Sequence, residues 1–181
     1  SILGDPRSEK MQKNLNLKVK HRESFRPFAP SILREDLQDW FDMSVDSPYM
    51  LLVSDINTKK KIEMTKDQQK LFGIEKLNIK RSEIPAVTHV DYSARIQTIS
   101  EKTNKPYRDL VLKFKEKTKC PVVVNTSFNV RGEPIVNKPV DAFNCFMGTE
   151  LDYLVIGNCI LDKKKQNQEL KKDYIKEFEL D

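Results

Sequence analysis

Long apolar runs are missing from this sequence of 181 residues: none approaches the roughly 18 residues that a membrane-spanning helix needs. Nor does a basic segment followed by a short apolar run open the chain, so no secretory signal is read there. Cysteine is scarce. Cys120, Cys145 and Cys159 are odd in number, far apart and without a C-x-x-C pair, which excludes a disulfide framework and a zinc ribbon. Their apolar contexts predict reduced, buried thiols and a cytoplasmic protein. Histidine is scarcer still, with His21 and His89 alone; His89-x-Asp91 has no further histidine at ligand spacing, so no protein-held metal is expected. Neither G-x-G-x-x-G nor G-x-x-x-x-G-K-[ST] occurs, which removes Rossmann and Walker-type nucleotide sites. Ser127 lies in Asn-Thr-Ser-Phe-Asn rather than G-x-S-x-G, so it is not a hydrolase nucleophile. There are no internal repeats and no low-complexity linker.

What remains is an ordinary globular composition, 38% apolar and 33% charged, large enough to bury a core. The net charge of +5 mildly favours anionic partners, although lysines on solvated faces give the same total. Asp5-Pro6 reads as a helix entry, and Met11, Leu15 and Val19 predict a helix from Pro6 to Val19. Pro27 and Pro30 bar a helix over Glu23 to Leu33 and favour a polyproline-like path that buries Phe25 and Phe28 together, with Arg26 turned away. A short helix is expected over Arg34 to Phe41 and a strand over Tyr49 to Ile56. Residues 57–83 form a lysine-rich excursion with a surface helix N-capped by Thr65. Strand resumes at Ile84 to Thr88. An amphipathic helix over Tyr107 to Lys117 leads to Cys120; Asn137-Lys-Pro139 opens another, and Leu151 to Leu161 is a last strand. Both helices are expected to pack on the sheet. Lys163 to Lys165 read as a solvated run, and Leu170, Tyr174 and Phe178 predict a charged terminal helix over residues 164–181. The order implies an α/β (α+β) domain with an open, mixed sheet and flanking helices.

Two stretches alternate strictly. Val122 to Val124 is a β-branched run, after which Asn125, Ser127, Asn129 and Arg131 oppose Thr126, Phe128 and Val130. In the other, His89, Asp91, Ser93, Arg95 and Gln97 oppose Val90, Tyr92, Ala94 and Ile96. In extended backbone, residues two apart share a face, so each stretch would present a polar row with an arginine in it. Arg26 is a third arginine and Lys20 a mobile charge within reach. If these segments are neighbours they build a cationic floor suited to polyphosphate, hence to a nucleotide. The alternatives are an edge hairpin whose polar face meets water, and scattered surface pairing.

Lys18-Val-Lys-His-Arg-Glu-Ser-Phe-Arg-Pro-Phe-Ala-Pro-Ser31, Ser47-Pro-Tyr-Met50, His89 to Gln97, Asn125-Thr-Ser-Phe-Asn-Val-Arg-Gly-Glu-Pro134 and Leu151-Asp-Tyr-Leu-Val-Ile-Gly157 occur in this order. Together they resemble the C-terminal domain of the O-carbamoyltransferases, the family of nodulation-factor, tobramycin and cephamycin carbamoyltransferases. The resemblance covers residues 1–163, weakens over the excursion and is absent from the tail. It implies a YrdC-like fold, an open twisted sheet that binds ATP and carbamoyl phosphate and forms carbamoyl-adenylate. It implies Lys20, Arg26, Arg95 and Ser127 as catalytic contacts, and Arg22, Asn125, Asn129, Arg131 and His89 as nucleotide contacts. Mg²⁺ is expected with the nucleotide.

The family also has an N-terminal domain of actin-like fold, holding iron or another metal, which passes the carbamoyl group to a substrate hydroxyl. That domain is expected as a partner and is absent from this chain, which alone should bind ATP but form carbamoyl-adenylate poorly. A homodimer is compatible with the resemblance; membrane and nucleic-acid partners are not expected. The alternatives are a basic RNA-binding module of the same fold and a non-catalytic scaffold. Two departures stand out. The family's Gly-Pro-Arg-Ala-Leu-Gly run before Ser-Ile-Leu is missing, and Tyr92 stands where the family has glycine.

Overall fold

Val122, Val123 and Val124 are almost wholly buried, as their β-branched run requires, and they form most of an interior strand. The computed structural model describes residues 1–171, Asp173 and Phe178. In chain order the strands are β1 (Ile2–Gly4), β2 (Ala29–Leu33), β3 (Leu52–Asp55), β4 (Ser93–Ile99), β5 (Val122–Thr126), β6 (Tyr153–Ile156) and β7 (Cys159–Asp162). The helices are α1 (Met11–Lys18), α2 (Leu37–Trp40), α3 (Lys66–Gln69), α4 (Gly73–Leu77), α5 (Glu101–Thr118) and α6 (Pro139–Gly148). The chain divides into two compact units, one of residues Ser1–Gln12 with Pro27–Thr126, the other of Lys13–Arg26 with Ser127–Asp181.

The first unit is an open five-stranded mixed sheet in the order β1-β5-β2-β4-β3. Only β2 and β4 run parallel; the other neighbours are antiparallel. Pro30 is tolerated in this central strand because pairing with β4 starts at Ser31, so the missing N–H costs that ladder nothing. Leu33, Ile99 and Val123 share one face and meet Val111 of α5, with Tyr107 and Phe114 packed around them. Ile32, Ala94, Ile96, Val122 and Val124, of the opposite parity, are completely buried. Ser100 and Thr103 cap α5 reciprocally, and the helix is interrupted at Asn104 (φ −162°, ψ 86°), two residues before Pro106. Thr65 and Gln68 form the expected cap of α3.

The second unit sets α6 against a two-stranded sheet, β6 and β7. Ala142, Phe146 and Met147 of α6 pack on Leu154, with Phe128, Val136 and Leu161 around them.

Several expectations are corrected. Asp5 receives the Arg7 N–H at 3.0 Å in a turn, and the first helix starts only at Met11. Ala29–Leu33 is a buried strand rather than a polyproline segment, because sheet pairing supplies the bonds that an isolated Pro-rich chain lacks. Phe28 is buried but Phe25 is 52% exposed, so the two do not share a face. Ile84 to Thr88 contains a 3₁₀ turn, not a strand. Leu151 to Leu161 is a hairpin, turned at Gly157 with φ +56°. The helix after Pro139 packs on that hairpin within its own unit. Cys159 is exposed, while Cys120 and Cys145 are buried. Leu170 closes a 3₁₀ turn at Gln168–Leu170; the expected terminal helix beyond it falls on Tyr174 and neighbours outside the described residues.

Candidate functional site

In the second unit the chain leaves α1 by folding sharply back on it. Lys20 N–H donates to Leu15 O at 2.8 Å, Arg22 N–H to Asn16 O at 3.0 Å, and His21 takes φ +49°, a left-handed conformation. Asn16 is fully buried and fastens the loop: its Nδ2 donates to Ser24 O (3.1 Å) and Arg26 O (2.8 Å), and its Oδ1 accepts from Arg22 Nε (2.7 Å). Arg22 and Arg26 are therefore set by one amide.

After Thr126 the row Asn125, Ser127, Asn129, Arg131 does not continue as a strand. Ser127 and Asn129 curl around the Lys20 ammonium, which donates to Ser127 O (2.5 Å), Ser127 Oγ (3.1 Å), Asn129 O (2.8 Å) and Asn129 Oδ1 (2.9 Å). Ser127 Oγ in turn donates to Asn129 Oδ1 at 2.6 Å. All four oxygens around the ammonium are neutral, and Lys20 is 3% exposed. Burial, with the nearby Arg22 charge, pulls its pKa down to about 8. Lys20 is thus a fixed cation rather than a mobile one. The turn closes where Arg131 N–H donates to Lys20 O (3.1 Å), Asn129 Nδ2 to Glu133 O (2.8 Å) and Val130 N–H to Glu133 Oε2 (2.8 Å), with Gly132 at φ +75°.

Glu23 lies between two of the arginines. One carboxylate oxygen is 2.8 Å from Arg26 Nε and the other 3.6 Å from Arg131 Nη1. Six of the nine expected site residues, Lys20, Arg22, Arg26, Ser127, Asn129 and Arg131, are consequently linked by direct bonds or through Asn16 and Glu23. Neither connecting residue has a legible signal: Asn16 reads as an ordinary helix residue and Glu23 as one charge in a charged run.

The other three lie in the sheet unit. Asn125 Nδ2 donates to Ser31 Oγ (3.1 Å) and Gln97 Oε1 (2.8 Å), Ser31 Oγ to Gln97 Oε1 (2.5 Å), and Gln97 Nε2 to Pro48 O (3.1 Å). This network crosses β5, β2 and β4 on the face that α5 covers farther along. Arg95, two residues before Gln97, is exposed on that face. His89 precedes β4 in a turn where its N–H donates to Ser93 O at 2.8 Å and Tyr92 takes φ +67°. That left-handed φ is one that glycine adopts without strain and that a side chain adopts at a cost. The His89 Nδ1 is 3.1 Å from Ser93 Oγ, and burial lowers the imidazole pKa below its usual value.

Lys163 is not in a solvated run. Its ammonium donates to Phe146 O and, at 2.9 Å, to Thr149 O, and lies 4.1 Å from the Phe146 ring centre, closing the end of α6. Lys163→Ala should therefore destabilise the protein by about 1–3 kcal/mol, the scale of lost charge-assisted bonds. The exposed neighbour Lys164, changed to Ala, should stay within about 0.5 kcal/mol. Urea denaturation of the two variants checks the difference.

Among the described residues no group of three or more His, Cys, Asp or Glu side chains could hold a metal ion, and no helix is long and apolar enough to cross a membrane. The sequence pattern of the family described as "Carbamoyltransferase C-terminus" matches residues 1–163. The chain is 56% identical, over its whole length, to an uncharacterized protein of Synechocystis sp., of which it covers 30%. It is 38% identical to nodulation protein NolO of Bradyrhizobium diazoefficiens over 91% of this chain and 27% of that protein. It is 37% identical to nodulation protein NolNO of Sinorhizobium fredii over 93% of this chain and 22% of that protein. The chain thus spans less than a third of the length of these relatives.

Proposed function

The chain belongs to the carbamoyltransferase C-terminus family, and from that premise we propose that it binds ATP and carbamoyl phosphate for the formation of carbamoyl-adenylate. The observation that carries this reading is the Lys20 cluster. A buried ammonium fixes the Ser127–Asn129 turn, and three arginines, Arg22, Arg26 and Arg131, are gathered on the adjoining loop and turn. Bringing two phosphorylated reactants together sets strongly repelling anions side by side, so the protein's task is mainly positioning and charge neutralisation. Guanidinium groups suit phosphate oxygens bidentately, and a fixed cation needs no reorganisation when negative charge arrives.

Within this reading Arg26 and Arg131 hold phosphate oxygens, while Lys20 raises the local potential and shapes the turn. Ser127 and Asn129 orient the carbamoyl group. Apart from Glu23, which the arginines already hold, the side chains named here are cationic or neutral, so they suit the phosphates rather than a metal ion; Mg²⁺ would travel on the phosphate oxygens and neutralise part of their charge. Transfer of the carbamoyl group to a hydroxyl is assigned to the additional length of the longer relatives.

Isothermal titration with ATP and with carbamoyl phosphate tests the reading, using wild type, Arg26→Gln and Lys164→Gln at two salt concentrations. Arg26→Gln should weaken binding roughly ten- to a hundredfold, the worth of charge-assisted hydrogen bonds of about 1.5–3 kcal/mol. Lys164→Gln, which removes the same charge from an exposed position, should change little. Equal losses that vanish together in high salt would assign the binding to bulk charge and reject a shaped site.

A further inference from the structure

Glu23 is an acidic side chain that bridges two of the arginines just assigned to phosphate. Its carboxylate has two oxygens on two different guanidinium groups, Arg26 Nε at 2.8 Å and Arg131 Nη1 at 3.6 Å. That is the bridging arrangement a phosphate group would take between the same two residues. We propose that Glu23 is a built-in competitor: it occupies the Arg26–Arg131 subsite when no ligand is bound, and an incoming phosphate must displace it. The inference rests on the phosphate-binding reading of the cluster and adds a selectivity device to it.

Three features support this role over a merely structural ion pair. Glu23 is exposed, so its two contacts add little to folding and can be exchanged for a ligand at small cost. The backbone of its loop is fixed independently, by Asn16 on Ser24 O and Arg26 O and by the Arg26 N–H bond to Glu23 O, so releasing the side chain need not release the loop. The arginines are also presented from separate segments: Arg26 comes from the loop after α1, and Arg131 from the turn after β5, whose N–H is bonded to Lys20 O at 3.1 Å. The carboxyl pKa is lowered by its own backbone N–H and by the Arg26 and Arg131 charges, so Glu23 is ionised throughout the neutral range.

The physical consequence is discrimination by charge. A singly charged carboxylate offers the arginines no more than Glu23 already gives them, and Glu23 is present at the high effective concentration of a tethered group. A phosphate or pyrophosphate carries more charge and more oxygens, and can win the exchange. Glu23 would therefore reject acetate-like or bicarbonate-like anions while weakening, but not preventing, phosphate binding.

The test uses pyrophosphate and acetate as probes, by isothermal titration at low salt, on wild type, Glu23→Gln and Glu63→Gln. Glu63 is an exposed acid in the other unit, so its variant makes the same change in net charge elsewhere. Glu23→Gln should bind pyrophosphate about three- to tenfold more tightly than wild type, the scale of two exposed ion pairs, and should acquire measurable acetate binding. Glu63→Gln should do neither, and Arg131→Gln in the Glu23→Gln background should abolish the gain. If wild type binds pyrophosphate and Glu23→Gln binds it equally or more weakly, the competitor role is overturned and the phosphate reading stands. If wild type fails to bind and Glu23→Gln binds, the competitor role is supported in its strongest form. If neither binds, both the competitor and the phosphate site are rejected. Thermal unfolding of Glu23→Gln should match wild type; a lowered midpoint together with unchanged affinity would make Glu23 structural only.

Discussion

Lys20→Met is expected to destabilise the protein by about 1–3 kcal/mol and to remove most of its affinity for ATP. Methionine fills the space of the lysine stem without strain, so packing is not the issue. What is lost is the donor for Ser127 O, Ser127 Oγ, Asn129 O and Asn129 Oδ1, which sit 2.5–3.1 Å from Nζ. Two opposing effects have to be weighed. Taking an ammonium out of water is costly, and the variant escapes that cost. Leaving four acceptors without their shared donor is also costly, about 1–3 kcal/mol, because Lys20 itself is buried and the turn must open before water can take its place. With its pKa at about 8, Lys20 remains mostly protonated at neutral pH, so the four oxygens offset most of the desolvation. The unsatisfied acceptors should win.

The same variant exposes a pH signature. In the unfolded chain the lysine titrates near its ordinary 10.5, and in the folded protein at about 8. Between those values the unfolded state holds more protons, so stability from this group rises with pH across that window and is lost as pH falls through 8. The stability advantage of wild type over Lys20→Met should therefore be larger at pH 10 than at pH 7.5. Lys163, whose pKa is also lowered to about 8, is present in both proteins and cancels in the comparison. Urea denaturation at the two pH values measures the gap. A gap that does not change with pH would mean that Lys20 titrates at its ordinary value, and a gap that narrows with rising pH that its pKa is raised; either result overturns the arrangement described.

The elements whose signals are local were legible in the sequence. Val122 to Val124, the α5 stripe of Tyr107, Val111 and Phe114, the Thr65 cap and the Pro139 entry each depend on a few adjacent residues, and each is found. The central failure comes from partners distant in sequence. Ala29–Leu33 contains Pro30 and lies just after Pro27, so it reads as irregular, yet pairing to β5 and β4 makes it the centre of the sheet. The last apolar run reads as one strand because the turn at Gly157 is flanked closely by strand-forming residues.

The polar row shows the same division. Alternation from Asn125 onward marks residues that do carry hydrogen bonds, but not as a continued strand. β5 ends at Thr126; Ser127 and Asn129 meet because both bond to one lysine more than a hundred residues earlier. Asn125 turns instead to Ser31 and Gln97 within the sheet unit. Residue types were readable, since arginine and amides suit phosphate, whereas their grouping was fixed by tertiary contacts.

Asn16→Leu is expected to cost about 2–3 kcal/mol and to lower ATP affinity by about tenfold, although Asn16 touches no ligand in the proposed reading. Leucine keeps the branched shape and heavy-atom count of asparagine but is bulkier, so some crowding adds to the loss of the hydrogen bonds. It removes the two donors that hold Ser24 O and Arg26 O and the acceptor that orients Arg22 Nε. Asn16 is completely buried, so its former partners lose bonds that water replaces only if the loop moves outward. Such movement would carry Arg22 and Arg26 with it while leaving the Lys20, Ser127 and Asn129 bonds in place. Amide hydrogen exchange should then speed up at Ser24 and Arg26 and stay slow at Val122 to Val124. Asn16→Asp is the second arm: it keeps an acceptor for Arg22 but sets a negative oxygen against two carbonyls, so it should loosen the loop as well while holding Arg22. If the loop amides of Asn16→Leu remain protected and ATP affinity is unchanged, the arginines are positioned by something other than this buried amide.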